Sequence, residues 1–373
     1  MRRAALLAAL VAACGARTNV DVIPAASVVT VEQEDEPPLA CATSYQRCKE
    51  RHAAPIAVST TGEPIPEFVG DITAIDAQRL LVAYKPQGIS DVSIAIVGPD
   101  GSVSARQRVT GREPKPRVTF HPGFATGVIR TGSTTTVIDA EGRPTVATAL
   151  PSGDTADGTP VIPVSLGYLA WDHGARAFFK ARASSRGLEW EPAGKTSSGV
   201  ALEIARRAEG LPRSLVVSDR STASVYQIDE DGSAFIRMTN FNTARGDLLG
   251  AVENDRGIFA LITSGSGSVS LVDMETTLTV RVADSATYGD VLSLDDQSIV
   301  VASAVEGGAI TLRVLDDGAA AFSDARQVSG VGRGGTLRMA PTRTGFAMIW
   351  LGATTGGRAS VHYQRWDCCP ASH

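Results

Sequence analysis

The residue types that could carry out catalysis are present in this chain, but their spacing matches no known kind of catalytic site. The histidines are isolated from one another, so no pair is placed to bind a metal ion: His52, His121, His173, His362 and His373. No serine lies in a Gly-x-Ser-x-Gly segment, and no cysteine has the sequence context of a nucleophile. Pairs of carboxylates could cleave a glycoside if they lay about 5–9 Å apart, and the candidates are Asp154, Asp157, Asp247, Asp284 and Asp290. Spacing along the chain does not establish such a distance, so this chemistry stays open.

One cysteine lies in a context that predicts covalent modification. Two arginines after Met1 precede an apolar run from Ala4 to Leu10, and Val11-Ala12-Ala13-Cys14 follows. This arrangement resembles the lipobox of bacterial lipoproteins, in which a peptidase cuts before a cysteine whose thiol carries lipid. The resemblance implies that residues 1–13 are a signal peptide and that acyl chains such as palmitate hold Cys14 to a membrane. Because Gly15 is not aspartate, which commonly retains such proteins at the inner membrane, we expect the outer membrane of the cell envelope.

The other four cysteines lie near the two ends of the chain, at Cys41, Cys48, Cys368 and Cys369. The cell envelope is oxidising, so disulfides are expected. A bridge between adjacent cysteines makes a strained ring, which favours two bridges between the terminal segments. A Cys41–Cys48 bridge beside a vicinal bridge stays open as the alternative. The spacing lacks the Cys-x-x-Cys pairs of zinc sites, and we predict neither a metal nor a cofactor.

Composition narrows the classes of partner. The 373 residues are 43% hydrophobic and 20% charged, which is typical of a folded chain with a sizeable core. The net charge is −5 and the lysines and arginines are scattered, which argues against binding to nucleic acid. After the leader, no apolar run approaches the roughly 18–20 residues that cross a bilayer. The lipid would then be the only attachment to the membrane.

Short apolar segments recur along the chain at a nearly constant interval. They begin at Arg79, Gly123, Gly167, Ser214, Gly257, Ser298 and Gly345, with differences of 44, 44, 47, 43, 41 and 47. Several copies continue into an alternating strand and a turn such as Asp100-Gly101 or Glu141-Gly142, a pattern typical of hairpins. A period of about 40–50 residues is the length of one four-stranded propeller blade. The sequence therefore predicts an all-β fold, a seven-bladed β-propeller of four-stranded antiparallel blades.

The last copy contains three strands, Thr336–Ala340, Gly345–Trp350 and Ala359–Trp366, and so needs a fourth. Either Ala54–Thr60 or Pro66–Val69 can supply an N-terminal strand that completes this blade and removes its open edge. We accordingly assign residues 14–53 to a tether with the first cysteine pair, 54–369 to the propeller and 370–373 to a tail.

The period resembles that of seven-bladed β-propellers of bacterial envelope lipoproteins, over Ala54 to Asp367. Because the spacings of a catalytic or metal site are missing, we predict a lipid-anchored module that binds or scaffolds without enzymatic activity. One segment, Ser185-Arg-Gly187-Leu-Glu-Trp190, resembles a degenerate Asp-box of the sialidases. The alternative is therefore a sialidase-like hydrolase or lyase that acts on glycans.

The connections between blades are the expected ligand-binding face, because the central channel opens there and loops tolerate variation. We predict that a protein or glycan ligand contacts residues of these connections, namely Arg117, Asp154, Arg245, Asp247, Tyr288 and Asp290. An arginine cluster that converges with a tyrosine and a carboxylate pair at the channel mouth would favour the enzyme. Dispersed charges would favour binding.

Overall fold

The computed structural model describes residues 47–59, 66–111, 115–153, 159–184, 187–194, 201–229, 235–243, 246–294, 297–305, 307–317, 319–328, 336–353 and 359–369. The chain divides into two units, Met1–Pro38 and Leu39–His373, and all the described residues belong to the second. Strands make up this part of the chain, with one 3-10 turn at Pro122–Phe124. No helix in the described ranges is long and apolar enough to cross a membrane. The predicted all-β fold of four-stranded antiparallel sheets is confirmed.

The strands follow one another in sets of four. The N-terminal segment contributes β1 (Cys48–Glu50) and β2 (Ile56–Ala57). Three four-stranded sheets come next. The first contains β3 (Pro66–Ala74), β4 (Leu80–Pro86), β5 (Asp91–Val97) and β6 (Val103–Thr110), and the second contains β7 (Arg117–His121), β8 (Thr126–Thr131), β9 (Thr134–Asp139) and β10 (Pro144–Ala149). The third contains β11 (Val161–Val164), β12 (Gly167–Asp172), β13 (Ala177–Ser184) and β14 (Gly187–Gly194).

The remaining strands form one sheet of eight, one of four and a last sheet that includes the N-terminal segment. The eight are β15 (Ala201–Arg206), β16 (Ser214–Ser218), β17 (Thr222–Ile228), β18 (Phe235–Asn242), β19 (Leu248–Asn254), β20 (Gly257–Thr263), β21 (Val269–Asp273) and β22 (Thr279–Ala283). The four are β23 (Tyr288–Ser293), β24 (Ile299–Ala304), β25 (Ile310–Leu315) and β26 (Arg326–Gln327). The last sheet joins β27 (Leu337–Thr342), β28 (Gly345–Ala353) and β29 (Ala359–Cys368) to β1 and β2.

The eight-stranded sheet consists of two four-stranded halves that touch at one point. β15 and β19 pair in parallel through Ala205 with Ala251 and Arg206 with Val252, whereas the neighbouring pairs within each half are antiparallel. β15 and β19 are each the first strand of their half. In other sheets of the fold, too, the first strand contacts the first strand of the neighbouring sheet, as β3 contacts β7. Divided at this pair, the described strands form seven units, which we call blades 1 to 7. The count of seven depends on this division.

The blades form a closed ring with the first strand of each blade on the inside. β3 contacts β7 and β7 contacts β11; β15 contacts β19, β19 contacts β23, and β23 contacts β27, which contacts β3. Between blades 3 and 4 the contact is made by apolar side chains, including Leu169 and Leu215. Both faces of a blade are therefore covered by its neighbours. This explains why a second strand such as β4 reads as a continuous apolar run and is buried at every position.

The N-terminal segment completes blade 7, as predicted. β1 pairs with β29 through Cys48 with Cys368 and Glu50 with Trp366, and β2 pairs with the same strand through Ile56 with Tyr363. The bounds differ from the sequence prediction in two ways. β1 lies before Ala54, among residues that the sequence assigned to the tether. Pro66–Val69 instead begins β3, because β4 needs an inner partner in blade 1.

A disulfide joins the same two segments covalently. Cys48 is bonded to Cys368, at a sequence separation of 320. The predicted bridge between the terminal segments is confirmed for this pair. Cys369 is also disulfide-bonded, whereas Cys41 and Cys14 lie outside the described residues. The pairing of Cys41 stays a prediction.

Removing the terminal bridge should destabilise the ring. We expect the double substitution Cys368→Ser/Cys369→Ser, which removes both bonded cysteines of the C-terminal segment, to lower the free energy of unfolding by about 2–5 kcal/mol, because the unfolded chain regains the freedom that a large closed loop denies it. Denaturant titration followed by tryptophan fluorescence measures the change. Cys48→Ser opens one bridge, leaves Cys369 bonded and should give a smaller loss. An unfolding midpoint that both substitutions leave unchanged would contradict this role.

Candidate functional site

The first strands of five blades bring six charged side chains together inside the ring. Three are carboxylates and three are guanidinium groups, and we call them the channel cluster: Asp71 on β3, Arg117 on β7, Glu203 and Arg206 on β15, Asp290 on β23, and Arg338 on β27. Blade 4 supplies two of them, and blade 7 lies three blades away from it. Ion pairs between these strands therefore cross the channel.

Arg117 links three strands of the ring. Its two Nη atoms donate to the two carboxylate oxygens of Glu203 at 3.1 and 2.8 Å, and its Nε lies 3.1 Å from Oδ2 of Asp71. The planar guanidinium matches a carboxylate in this two-point geometry, which fixes orientation as well as distance. The arginine is only 7% exposed. Blades 1, 2 and 4 are thus held in a defined arrangement by one side chain.

Glu203 also connects this group to the opposite side of the ring. Its Oε1 accepts a hydrogen bond from Nη2 of Arg338 at 3.3 Å, and Nη1 of Arg338 lies 3.7 Å from Oδ1 of Asp290. Arg206 is ion-paired with Asp290 and donates to the backbone oxygens of Met339 and Val291, each at 2.6 Å. The cluster is continuous from blade 1 to blade 7.

Backbone groups hold the two aspartates in place. Oδ2 of Asp290 accepts the N–H of Met339 at 2.7 Å, which joins β23 to β27. Asp71 does the same between β3 and β7, since its Oδ2 accepts the N–H of Val118 at 3.3 Å. Gly250 leaves room for this arrangement, because a Cβ there would lie 2.9 Å from Oδ1 of Asp290. The carboxylates therefore bind neighbouring inner strands as well as the arginines.

The electrostatic environment keeps the central pair ionised. Burial alone would raise the pKa of Glu203, but the charges of Arg117 and Arg338 outweigh it, and the pKa is lowered. Burial likewise opposes the charge of Arg117, and Glu203 and Asp71 more than compensate, so the pKa of the guanidinium is raised. A general acid in a glycosidase needs a raised carboxyl pKa. Glu203 has the opposite property and is unsuited to donate a proton.

The six predicted ligand-binding residues fall into three groups. Arg117 and Asp290 lie in the channel cluster, where both are buried rather than presented on a loop. Asp247 is exposed on the connection before β19, with Oδ1 3.9 Å from Nε of the equally exposed Arg220. Tyr288 begins β23 and packs, half-buried, against the core between blades 6 and 7. Asp154 and Arg245 lie outside the described residues, as do Asp157 and Ser185. The structure brings two of the six together, and their use by a ligand stays a prediction.

Sequence reasoning missed the four other members of the channel cluster, which are Asp71, Glu203, Arg206 and Arg338. Each lies within the first strand of a blade, where the sequence shows no turn or loop that would mark the residue as a candidate for ligand binding. The available signal was a charged residue inside a strand that the repeat places at the ring centre. Inner strands have the least room, so a charge there requires a partner from another blade.

Side chains at the ends of second strands tie down the connections between blades. Nζ of Lys85 donates to the backbone oxygen of Gly111 at 2.8 Å, just after β6. Oδ2 of Asp172 accepts the N–H of Ser152 at 3.0 Å, and Oγ1 of Thr263 accepts the N–H of Asp247 at 2.8 Å. The connecting loops therefore leave the ring from fixed positions. Connections whose ends are anchored in this way suit a face that presents variable loops to a ligand.

Within the described residues, no group of three or more histidine, cysteine, aspartate or glutamate side chains is placed to hold a metal ion. Asp139 shows what the aspartates of the hairpins do instead. Its Oδ1 accepts the N–H groups of Glu141 and Arg143 at 3.0 and 2.8 Å, and Gly142 has a φ of 75°. This aspartate stabilises a turn that needs glycine for its left-handed backbone.

Comparison with solved structures shows that the fold is a β-propeller. The chain is similar to BBS1N, solved in complex with ARL6DN, with a TM-score of 0.54 and 8% identity over 85% of this chain and 97% of that chain. It is similar to a chain of the mitotic checkpoint complex, with a TM-score of 0.56 and 11% identity over 83% and 92%. The Cps50 (Swd1) β-propeller domain of Myceliophteria thermophila gives 0.55 and 12% over 83% and 99%. No protein-family model and no curated protein matches the sequence. At these identities the likeness concerns the fold alone.

Removing one partner of the channel cluster should destabilise the fold. We expect Glu203→Gln to lower the free energy of unfolding by about 3–5 kcal/mol, because it leaves two buried guanidinium groups without their shared counter-ion. Asp284→Asn is the matched control, since Asp284 pairs with Arg281 at 2.7 Å on the exposed surface. That change should cost less than about 1 kcal/mol. Denaturant titration of both variants checks the difference, and equal losses would be evidence against a special role for the cluster.

Proposed function

We propose that the protein is a lipid-anchored binding or scaffolding module of the bacterial cell envelope. In this proposal the β-propeller presents the connections between its blades to a protein or glycan ligand. The ring serves as a rigid support and carries out no chemistry of its own.

One observation carries the non-enzymatic part of this proposal. The acids and bases that converge inside the ring are committed to one another, with Glu203 shared between Arg117 and Arg338 and Asp290 bound by Arg206 and a backbone N–H. The three carboxylates and three guanidinium groups balance in charge. A substrate carboxylate or a developing negative charge would have to displace an existing buried pair. Such a cluster supports structure better than turnover.

The alternative is a sialidase-like hydrolase or lyase, and one feature of the channel favours it. Three arginines, Arg117, Arg206 and Arg338, converge there, as an enzyme that binds an acidic sugar would require. Their burial and pairing argue against this use, and so do the lowered pKa of Glu203 and the position of Tyr288 in the core between blades. Turnover of sialosides by the purified protein would decide for the enzyme.

Similar structures support a protein partner. BBS1N was solved in complex with ARL6DN, and the mitotic checkpoint structure is itself an assembly. Both similar chains were solved as parts of protein complexes. We extend this property to the present chain, with the blade connections as the contact surface.

Contacts of the proposed face can be mapped with two exposed aspartates that flank one strand. Asp247 precedes β19 on the blade-connection side and Asp255 follows it on the opposite side, so a photo-crosslinking amino acid at either position probes one face of the ring. We expect crosslinked adducts from position 247 in intact cells and none from position 255. Adducts from 255 alone, or from neither position, would count against the blade-connection face.

Attachment through Cys14 supplies the location in this proposal. The sequence pattern before Cys14 supports cleavage and acylation there, and we place the protein at the outer membrane of the envelope. Metabolic labelling with a palmitate analogue should mark the wild-type protein. Cys14→Ser should abolish the label and release the protein from the membrane fraction, whereas Cys41→Ser should leave both unchanged. Label that persists in Cys14→Ser would exclude this anchor.

A further inference from the structure

The described part of the chain begins on one face of the ring, at Arg47. Cys48 opposes Cys368 at the end of β29, and the N–H of Cys368 donates to the backbone oxygen of Thr344, in the turn between β27 and β28, at 2.6 Å. Arg47 is ion-paired with Asp316, which follows β25 in blade 6. We call this side of the ring the lower face, and it is formed by the turns after the first and the third strands of the blades. The blade connections lie on the opposite face, because neighbouring strands within a blade are antiparallel.

Exposed apolar side chains are concentrated on the lower face. Among the described residues, the exposed large hydrophobic side chains are Phe124 at 45%, Leu166 at 48%, Leu278 at 68% and Val305 at 39%. Phe124 and Leu166 lie between the first and second strands of blades 2 and 3, and Leu278 lies directly before the fourth strand of blade 5. Val305 follows a second strand and so lies on the side of the blade connections. The other three share the face at which the described chain begins.

The turns that carry Phe124 and Leu166 are neighbours and are well supported. Phe124 ends the 3-10 turn of blade 2, and its ring packs against His121 with centroids 4.2 Å apart. Nε2 of His121 donates to the backbone oxygen of Val164 in blade 3 at 2.8 Å, just before Leu166 in the chain. Both apolar side chains are therefore presented by short, fixed turns.

Leu278 is held in a similar way. Its backbone oxygen accepts the N–H of Asp273 at 2.9 Å, and Oδ1 of Asp273 accepts the N–H groups of Glu275 and Thr276 at 2.9 and 3.2 Å. Turns favour glycine, proline, asparagine, aspartate and serine, each for a reason of backbone geometry or hydrogen bonding. The geometry of the turn gives no such reason for an exposed leucine.

The charged side chains of the lower face pair with one another. Three arginines of its turns form ion pairs with nearby aspartates: Arg79 with Asp76 at 2.7 Å, Arg143 with Asp139 at 2.8 Å and Arg256 with Asp317 at 3.7 Å. Paired charges of this kind do not make the basic patch that attracts anionic headgroups or nucleic acid. A contact with this face would therefore depend on its apolar side chains.

The distribution of these side chains decides the kind of partner. Phe124, Leu166 and Leu278 belong to blades 2, 3 and 5, so a small molecule cannot contact all three, whereas a flat and deformable surface can. The lipid anchor of the proposed function, on which this step rests, brings such a surface to the ring. Because Cys14 precedes Arg47 in the chain, the anchor is joined to the ring through the lower face.

We propose that the lower face lies against a lipid bilayer, with Phe124, Leu166 and Leu278 inserted among the headgroups. The blade connections then face away from the membrane, toward the protein or glycan ligand of the proposed function. Binding through apolar side chains scales with the area that they bury and is not screened by salt. The contact accordingly needs no anionic lipid.

Quenching of tryptophan by brominated lipid tests this contact in the chain carrying Cys14→Ser, with a hexahistidine tag in place of residues 1–13. Nickel-chelating lipid in phosphatidylcholine vesicles tethers the tag, so the ring is held near a bilayer whether or not Cys14 is acylated in cells. We expect bromine on the acyl chains to lower the emission of Leu278→Trp by a larger fraction than that of the tethered parent. Val305→Trp is the matched control, because Val305 is exposed on the opposite face, and its emission should fall no more than the parent's. The proposal is overturned if Leu278→Trp loses no more emission than Val305→Trp.

The other two apolar side chains supply a second measurement. Phe124→Ser and Leu166→Ser, introduced together into Leu278→Trp, should reduce the quenching, because they remove two of the three contacts that hold the ring against the bilayer. Replacing part of the phosphatidylcholine with phosphatidylglycerol should leave the quenching unchanged. Quenching that persists in full in the serine variant, or that requires phosphatidylglycerol, would contradict an apolar contact made by this face.

A protein occupant of the lower face would give a different result. Without vesicles, a blue shift in the emission of Leu278→Trp that grows with protein concentration would assign the face to a second copy of this chain and overturn the proposal. We expect no such shift. Palmitate labelling of Cys14 has a separate readout, so failure of the anchor and failure of this contact are distinguishable.

Discussion

The geometry of the ring depends on the buried carboxylate of Glu203, which is held by Arg117 from one side and by Arg338 from another. Apolar contacts between blades are strong but non-directional, so they favour compactness without fixing which blade faces which across the channel. Ion pairs have a defined geometry and therefore fix which blades face each other across the channel. Burial of the pairs gives little net stability, and their value lies in specifying one arrangement. We infer that the channel cluster sets the positions of the blades, and that the apolar cores between them supply most of the free energy.

The same arrangement supports our proposal that the ring carries out no chemistry of its own. An active site needs groups that change charge or release a partner during the reaction. Here each carboxylate of the cluster has at least one arginine and, for Asp71 and Asp290, a backbone N–H from the next blade. Replacing those partners with substrate would loosen neighbouring strands. The connecting loops carry no such structural duty.

The sequence predicted those parts of the fold that repeat. The apolar segments chosen by period coincide with second strands, for example Gly167 with the start of β12 and Gly257 with the start of β20. The period also revealed that the last copy lacks one strand, and the terminal cysteines indicated where the missing strand would attach. Local patterning was sufficient because each blade must bury both faces, which leaves a clear apolar signature in every copy.

The candidate site was less accessible to the same reasoning. Glu203 and Arg338 are 135 residues apart and meet only because the ring closes. Arg117 and Asp290 were predicted as loop residues, because loops are where ligands usually bind. In the structure both lie on inner strands of the ring.

The position of the Cys48–Cys368 bond has a mechanical consequence. Tension that reaches Arg47 along the chain meets the bridged Cys48 one residue later. The disulfide carries the force into β29, so the three residue pairs between β1 and β29 do not separate one after another. The other six blades lie outside this path. A propeller held by its N-terminal segment can therefore be pulled without opening the ring, and its far side keeps its shape under strain.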